Sequence, residues 1–243
     1  MRTLLLTGGM LAALASLVSV GGAGDKKRPD NVPPKGFTAL FNGKDLKGWQ
    51  GAIDVRKRQA LEGDSLERLQ KEVDVKVLPH WTVEDGVLVN DGKGGNLATI
   101  KDFTDFELHV GWKIEPLGDS GIYLRGVPQV QIWDSASLKG GLAADKDKGS
   151  GGLWNNAKGS KGKDPIKNAD KAPGEWNHFR IIMKGKDATV YLNGVLVVDQ
   201  APFTVNGWPM PDKGPIELQQ HPKQDGSHGK IQFKNIYIKE LKP

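Results

Sequence analysis

Residues 106–114 alternate strictly. Phe106, Leu108, Val110, Trp112 and Ile114 are apolar, and Glu107, His109, Gly111 and Lys113 fall between them. A period of two over this length predicts a β-strand with one face in a core. The alternation resumes in residues 119–135. Ile122 and Leu124 alternate with Tyr123 and Arg125, then Val130 and Ile132 with Gln129, Gln131 and Trp133. Gly126-Val127-Pro128 separates the two runs, so a hairpin is expected there. The expected register sets Arg125 opposite Gln129, Tyr123 opposite Gln131, Gly121 opposite Trp133 and Ser120 opposite Asp134. One face is then wholly apolar, and the other carries an arginine, a tyrosine, two glutamines and a tryptophan. A slip of one residue would mix the faces. A direct connection through 115–119 extends the polar face to a third strand. Trp112 then pairs with Ile122 and Val110 with Leu124, which sets His109 beside Arg125 and Gly111 beside Tyr123.

Elsewhere the pattern gives many short strands. Residues 36–49 hold a short strand and an Asn-Gly turn, and residues 81–89 a hairpin turning at Glu84-Asp85-Gly86. Further strands are expected at 96–100, 175–183, 188–192, 214–221 and 230–239, with Asn193-Gly194 returning the chain through 195–198. Residues 54–78 differ: they are highly charged and place Leu61, Leu66, Leu69, Val73 and Val77 at helical spacing. A surface helix inserted between strands is predicted. Residues 136–173 form a long irregular segment rich in Gly and Lys, in which 149–156 is the expected functional part. The fold class is all-β, a sandwich or jelly roll with one inserted helix.

Composition adds a compartment. The first residues are basic, then apolar through Val20, then small at 21–24. This pattern is expected of a secretory signal peptide over 1–23, cleaved after Ala23 and followed by a Pro-rich linker at 24–35 and one domain at 36–242. The expectation is an exported bacterial protein, periplasmic or extracellular, with no membrane anchor. The chain has no cysteine, which excludes a lipoprotein anchor, disulfides and thiolate zinc sites. The net charge of +5 is diffuse, with Lys and Asp interspersed, so nucleic acid is not an expected partner.

A sheet face of flat, hydrogen-bonding side chains without Lys or Glu suits a sugar-like ligand. Tyr123, Arg125, Gln129, Gln131 and Trp133 are its candidate binding residues, and Trp154 in the Gly-rich loop is a candidate stacking platform. Arg125 has the planar fork that binds paired oxygens.

Eight segments then recur in a recognisable order: Phe-Thr-Ala-Leu-Phe-Asn-Gly-Lys-Asp-Leu-Lys-Gly-Trp, Trp-Thr-Val-Glu-Asp-Gly, Asp-Phe-Glu-Leu, Asp-Ser-Gly-Ile-Tyr-Leu-Arg-Gly, Val-Gln-Ile-Trp-Asp, Gly-Glu-Trp-Asn, Leu-Asn-Gly-Val and Gly-Pro-Ile-Glu-Leu-Gln-Gln-His. Over about residues 36–242 the chain resembles the 3-keto-disaccharide hydrolase family. That family is also described as 3-keto-glucoside 1,2-lyase and 3-keto-2-hydroxyglucal hydratase. The resemblance implies a concanavalin-like jelly roll with sugar on its concave face, and a substrate already oxidised at C3. A C3 ketone makes the C2 proton acidic, so a base removes it, the C1 substituent leaves, and water adds back. An upstream sugar oxidoreductase would supply such a substrate.

Laminarinase-like glycosidases, similar in fold, carry E-x-D-x-x-E on one strand. Here that spacing reads Gln129-x-Gln131-x-x-Asp134, and an amide is no nucleophile, so a retaining glycosidase at this strand is not expected. Relatives often hold Glu at the position of Gln129, which leaves Gln129 a hydrogen-bonding residue here. The matching motifs make Asp134 and His221 catalytic candidates and Gln219 a binding candidate; the three-strand polar face adds Glu107 as a catalytic and His109 as a binding candidate, and the 149–156 loop adds Asn155. A divalent ion held by Asp134, Glu107 or His221 is an open possibility, with Asp145-x-Asp147-x-Gly149 only partly like a calcium loop. A non-catalytic, lectin-like carbohydrate-binding module is the alternative function, and it needs no proton-transfer group.

Overall fold

The computed structural model describes residues 28–137, 148–203 and 210–242. The expected signal peptide and the Asp145/Asp147 pair lie outside the described residues. Thirteen strands and two helices are present among them. In order they are β1 (Thr38–Ala39), β2 (Trp49–Gly51), α1 (Val55–Ala60), α2 (Gly63–Val77), β3 (Trp81–Glu84), β4 (Val87–Asn90), β5 (Leu97–Thr99), β6 (Phe106–Ile114) and β7 (Asp119–Leu124). Then follow β8 (Gln129–Trp133), β9 (Asn177–Lys184), β10 (Asp187–Leu192), β11 (Val195–Pro202), β12 (Ile216–Leu218) and β13 (Ile231–Glu240).

The strands form two antiparallel sheets packed as a jelly-roll sandwich. The larger runs β11-β10-β9-β6-β13-β4-β3, with β1 on β13. The smaller runs β2-β5-β12-β7-β8. Leu108, Val110, Trp112, Phe179 and Ile181 from the first meet Ile122, Leu124, Val130 and Ile132 from the second in one core, all nearly or wholly inaccessible. Each such side chain contributes about 1.5–3 kcal/mol by leaving water. The hairpin turns expected at Glu84-Asp85-Gly86 and at Asn193-Gly194 form. Asp85-Gly86 and Asn193-Gly194 take positive φ at both positions, 50° and 78°, then 52° and 82°, which matches the twist of the hairpins they close.

Three expectations are corrected. The hairpin register is shifted by two residues: Tyr123 pairs with Gln129, Gly121 with Gln131 and Asp119 with Trp133. Leu124 N–H donates to Pro128 O at 2.8 Å, which closes a loop of Arg125, Gly126 and Val127. Arg125 and Gly126 take positive φ there, 57° and 78°. A shift of two keeps every side chain on its predicted face, which is why the faces were right and the pairs were not. Second, β6 does not join the hairpin. The turn at 115–118 carries the chain from one sheet to the other, and β6 pairs with β9 and β13 instead. Trp112 and Ile122 enter the core from opposite sheets rather than lying side by side in one, and the three-strand polar face does not exist. Third, the segment 54–78 is two helices. Leu61 and Glu62 are extended and Gly63 has φ +54°, so the helix breaks between α1 and α2.

Candidate functional site

The outer face of the smaller sheet gathers most of the predicted binding residues. Trp154 N–H donates to Gln129 O at 2.9 Å, and the loop from Gly151 to Trp154 runs along β8 as an extra edge. The register then gives one row across the sheet: Trp154, Gln129, Tyr123, Glu217, Ala98 and Gln50. Neighbouring strands lie about 4.8 Å apart, so the row is a continuous shelf. Beside it run Gln131, the bare Gly121 and Gln219, whose N–H donates to Gly121 O at 2.9 Å. A Cβ on Gly121 would collide with the Gln129 side chain, which lies over that position, so a larger residue there would displace the Gln129 amide.

The amides form a closed cluster. Gln129 Nε2 donates to Gln131 Oε1 and to Gln219 Oε1, both at 2.8 Å. Gln131 Nε2 donates to Asp119 Oδ1 at 2.7 Å, and Gln219 Nε2 to Tyr123 Oη at 3.3 Å. His221 stands at the rim, its Nδ1 4.0 Å from Asp119 Oδ2 and its side chain half exposed. Asn155 accepts from Gln129 N–H through Oδ1 at 2.7 Å.

Next to this cluster opens a cavity of about 450 Å³, lined by Asn96, Tyr123, Asn155 and Glu217 and roofed by Asp54 and Val55 at the start of α1. Glu217 is its most unusual member. It is 6% exposed, and its nearest polar partner is Asn96 Nδ2 at 3.5 Å from Oε2. Burial pushes its carboxyl up to about 8, only partly opposed by the Asn96 contact and the distant Arg58 charge. Burial and the neighbouring Glu217 charge push the Tyr123 phenol up to about 12, so it stays protonated. A buried carboxyl that titrates near neutrality inside a cavity has the character of a general base. The sequence pattern alone does not mark Glu217 as a site residue. Its one signal was a carboxylate between Ile216 and Leu218 in an otherwise apolar strand.

A second, narrower cavity of about 90 Å³ adjoins the Trp154 end of the shelf, lined by Gln131, Trp133, Trp154 and Lys163. The Trp133 and Trp154 rings meet edge to face at 5.6 Å, Trp154 is 45% exposed, and Lys163 Nζ lies 4.0 Å from the Trp154 ring centre. Consecutive residues therefore serve both cavities, Trp154 the narrow one and Asn155 the wide one.

Four predicted residues are not brought to this cluster. Arg125 leaves the sheet face because it sits in the hairpin loop. It is 2% exposed, and its guanidinium donates to Thr104 O, Gly185 O and Asp105 Oδ1 at 2.7–2.9 Å. It is a clamp between the sheets rather than a ligand for sugar oxygens. Asp134 caps the turn after β8, accepting from Leu117, Ala136 and Ser137 N–H groups at 2.8–3.0 Å. Burial works against its charge, but the Ser137 side chain and those N–H groups outweigh it and hold the carboxyl below the ordinary range. Glu107 and His109 lie on the outer face of the larger sheet, across the core. Glu107 accepts from Arg180 at 2.6 Å and sits 3.1 Å from His109 Nε2, and His109 packs on His178 at 5.3 Å. Asp134, Glu107 and His221 are thus never together, and among the described residues no three acidic, His or Cys side chains converge as a metal site would require. No described helix is long and apolar enough to cross a membrane.

Comparison with known proteins gives a consistent picture. Residues 36–239 match the model of the 3-keto-alpha-glucoside-1,2-lyase-like domain. A 3-keto-disaccharide hydrolase of Bacteroides thetaiotaomicron is 30% identical over 101 residues, covering 38% of this chain and 28% of that protein. The chain thus spans well under two thirds of that relative's length. A crystal structure described as a candidate glycosyl hydrolase of Parabacteroides distasonis ATCC 8503 is 30% identical, covers 86% of this chain and 85% of its own, and has a TM-score of 0.55. Another from the same organism, 22% identical, covers 88% of this chain and all of its own with a TM-score of 0.64, and shares the fold.

Proposed function

Since the chain belongs to the 3-keto-alpha-glucoside-1,2-lyase-like family, we propose that it cleaves 3-keto-glucosides or 3-keto-disaccharides by elimination and rehydration. Family membership and the 3-keto-disaccharide hydrolase relative support a carbohydrate-active, glycosyl-hydrolase-like protein. Elimination is supported by Glu217, a buried carboxyl raised to about 8 inside a cavity of glycoside size. In the unprotonated form it takes the C2 proton, made acidic by the C3 ketone. The electron pair of the C2–H bond forms the C1–C2 double bond, and the C1 substituent departs with its own pair. Water then adds its oxygen to C1, and a proton returns to C2. The cavity lining holds no arginine or lysine, which suits an uncharged sugar ring.

Trp154 and the narrow cavity receive the departing group, while Gln219 and Asn155 hold ring hydroxyls. His221 borders the entrance. The exported location and the upstream oxidoreductase belong to the same proposal, because a 3-keto sugar must be made by oxidation of a secondary alcohol. A lectin-like module would have no use for a carboxyl held unsolvated at some cost to folding. Glu217→Gln tests the choice. The substitution preserves shape and removes the base, so turnover of a 3-keto-glucoside falls about a hundredfold or more. Full turnover in the variant would reject Glu217 as the base.

A further inference from the structure

We propose that Asp119 sets the direction of every hydrogen bond in the amide cluster and thereby leaves the Tyr123 hydroxyl as a proton donor to the leaving-group oxygen. The inference rests on the elimination reading above and assigns its missing acid. An ionised carboxylate only accepts, so the amide that meets Asp119 must present its nitrogen. Gln131 does so at 2.7 Å, and its Oε1 is thereby turned toward Gln129. Gln129 must answer with Nε2, at 2.8 Å, and gives the second hydrogen of that nitrogen to Gln219 Oε1 at 2.8 Å. Gln219 is left with Nε2 toward Tyr123 at 3.3 Å. Reversing any one amide would set N–H against N–H, or oxygen against oxygen, at these distances. Gln129 and Gln131 are 2% and 4% exposed, so such a mismatch has little water to relieve it.

The Tyr123 oxygen accepts within this chain, so its own hydrogen is directed away from it and toward the cavity the ring lines. Tyr123 stands opposite Glu217 on the next strand. Cross-strand neighbours lie about 5 Å apart at Cβ, which lets two groups reach adjacent atoms of one ring, here the hydrogen on C2 and the oxygen on C1. In elimination Glu217 takes the C2 proton, the C1–O bond breaks, and the leaving oxygen takes the Tyr123 proton. In hydration the water oxygen bonds to C1, its proton restores the phenol, and Glu217, whose proton has meanwhile exchanged with solvent water, delivers a solvent proton to C2. The sum is one 3-keto-glycoside and one water giving one 3-keto sugar and one alcohol, with both groups reset. Asp119 touches none of the reacting atoms and is a positioning residue.

The readout is the dependence of kcat/KM on the acidity of the leaving alcohol, measured on methyl, phenyl and 4-nitrophenyl 3-keto-glucosides. Tyr123→Phe should lose about a hundredfold on the methyl substrate and only a few-fold on 4-nitrophenyl, whose phenolate needs no proton. Asp119→Asn should steepen the same dependence to a lesser degree, and Asp119→Glu should restore it. If Asp119→Asn does not fold, Gln131→Met breaks the next link and is read in the same way. Equal losses on all three substrates would mark Tyr123 and Asp119 as merely structural and overturn the inference. The elimination reading would survive that result if Glu217→Gln is inactive and C2 exchanges its proton with solvent, so the two failures are distinguishable.

Discussion

Tyr123 and Glu217 are directly paired across two antiparallel strands and line one cavity. Neither burial nor pairing alone would make them a catalytic pair. Together they place a carboxyl raised to about 8 beside a phenol raised to about 12, a base and an acid held apart by their surroundings.

The pH dependence follows from Glu217. The base must be unprotonated, so kcat/KM on a 3-keto-glucoside rises with pH and levels off above about 8. Stability moves the other way. The folded chain holds this proton more tightly than the unfolded chain, whose carboxyl titrates near 4.5, so stability is lost as pH rises through that window. Glu217→Gln should therefore be the more stable protein at pH 9, by on the order of a few kcal/mol, with the gain vanishing near pH 4. Chemical denaturation at the two pH values measures it, and a pH-independent difference would contradict the assignment.

Arg125→Ala should act on folding. It removes a buried cation from two backbone carbonyls and from Asp105, which costs about 3–5 kcal/mol for a buried pair. Urea denaturation should show the loss, while the folded fraction keeps the wild-type KM. A raised KM with unchanged stability would return Arg125 to the substrate.

Trp154→Ala should raise KM and leave kcat nearly unchanged, because ring stacking holds ground state and transition state alike. Steady-state kinetics on a 3-keto-disaccharide is the check. A fall in kcat alone would place Trp154 in the chemistry.

Glu107→Gln and His109→Ala should leave turnover within about twofold of wild type, since surface changes remote from the site have small effects. Both residues stand across the core from Glu217, paired with Arg180 and with each other. Loss of turnover in either would move the site to the larger sheet.

The alternation in the sequence carried the strands, the turns at Asp85-Gly86 and Asn193-Gly194, and the two faces of the 122–132 hairpin. Period two says which face a side chain takes but not which residue it meets, so a shift by two left the faces intact and misplaced Arg125. Whether a four-residue turn closes a hairpin or crosses to the opposite sheet is decided by which strands pair in the assembled sandwich, which pattern alone does not encode. That crossing removed Glu107 and His109 from the site. Glu217 was hidden for a related reason: its position in the site depends on β12 pairing with β7 across 91 intervening residues, and only the assembled sheet sets it beside Tyr123.

The central claim is that the C2 proton is removed and replaced. Turnover of a 3-keto-glucoside by the wild-type protein in heavy water, followed at C2 by NMR or mass spectrometry, tests it directly, with the unoxidised glucoside alongside and a chelator in a parallel sample. The account predicts deuterium at C2 of the 3-keto sugar product and no reaction of the unoxidised glucoside. A product without deuterium at C2, or equal cleavage of the unoxidised glucoside, would contradict it.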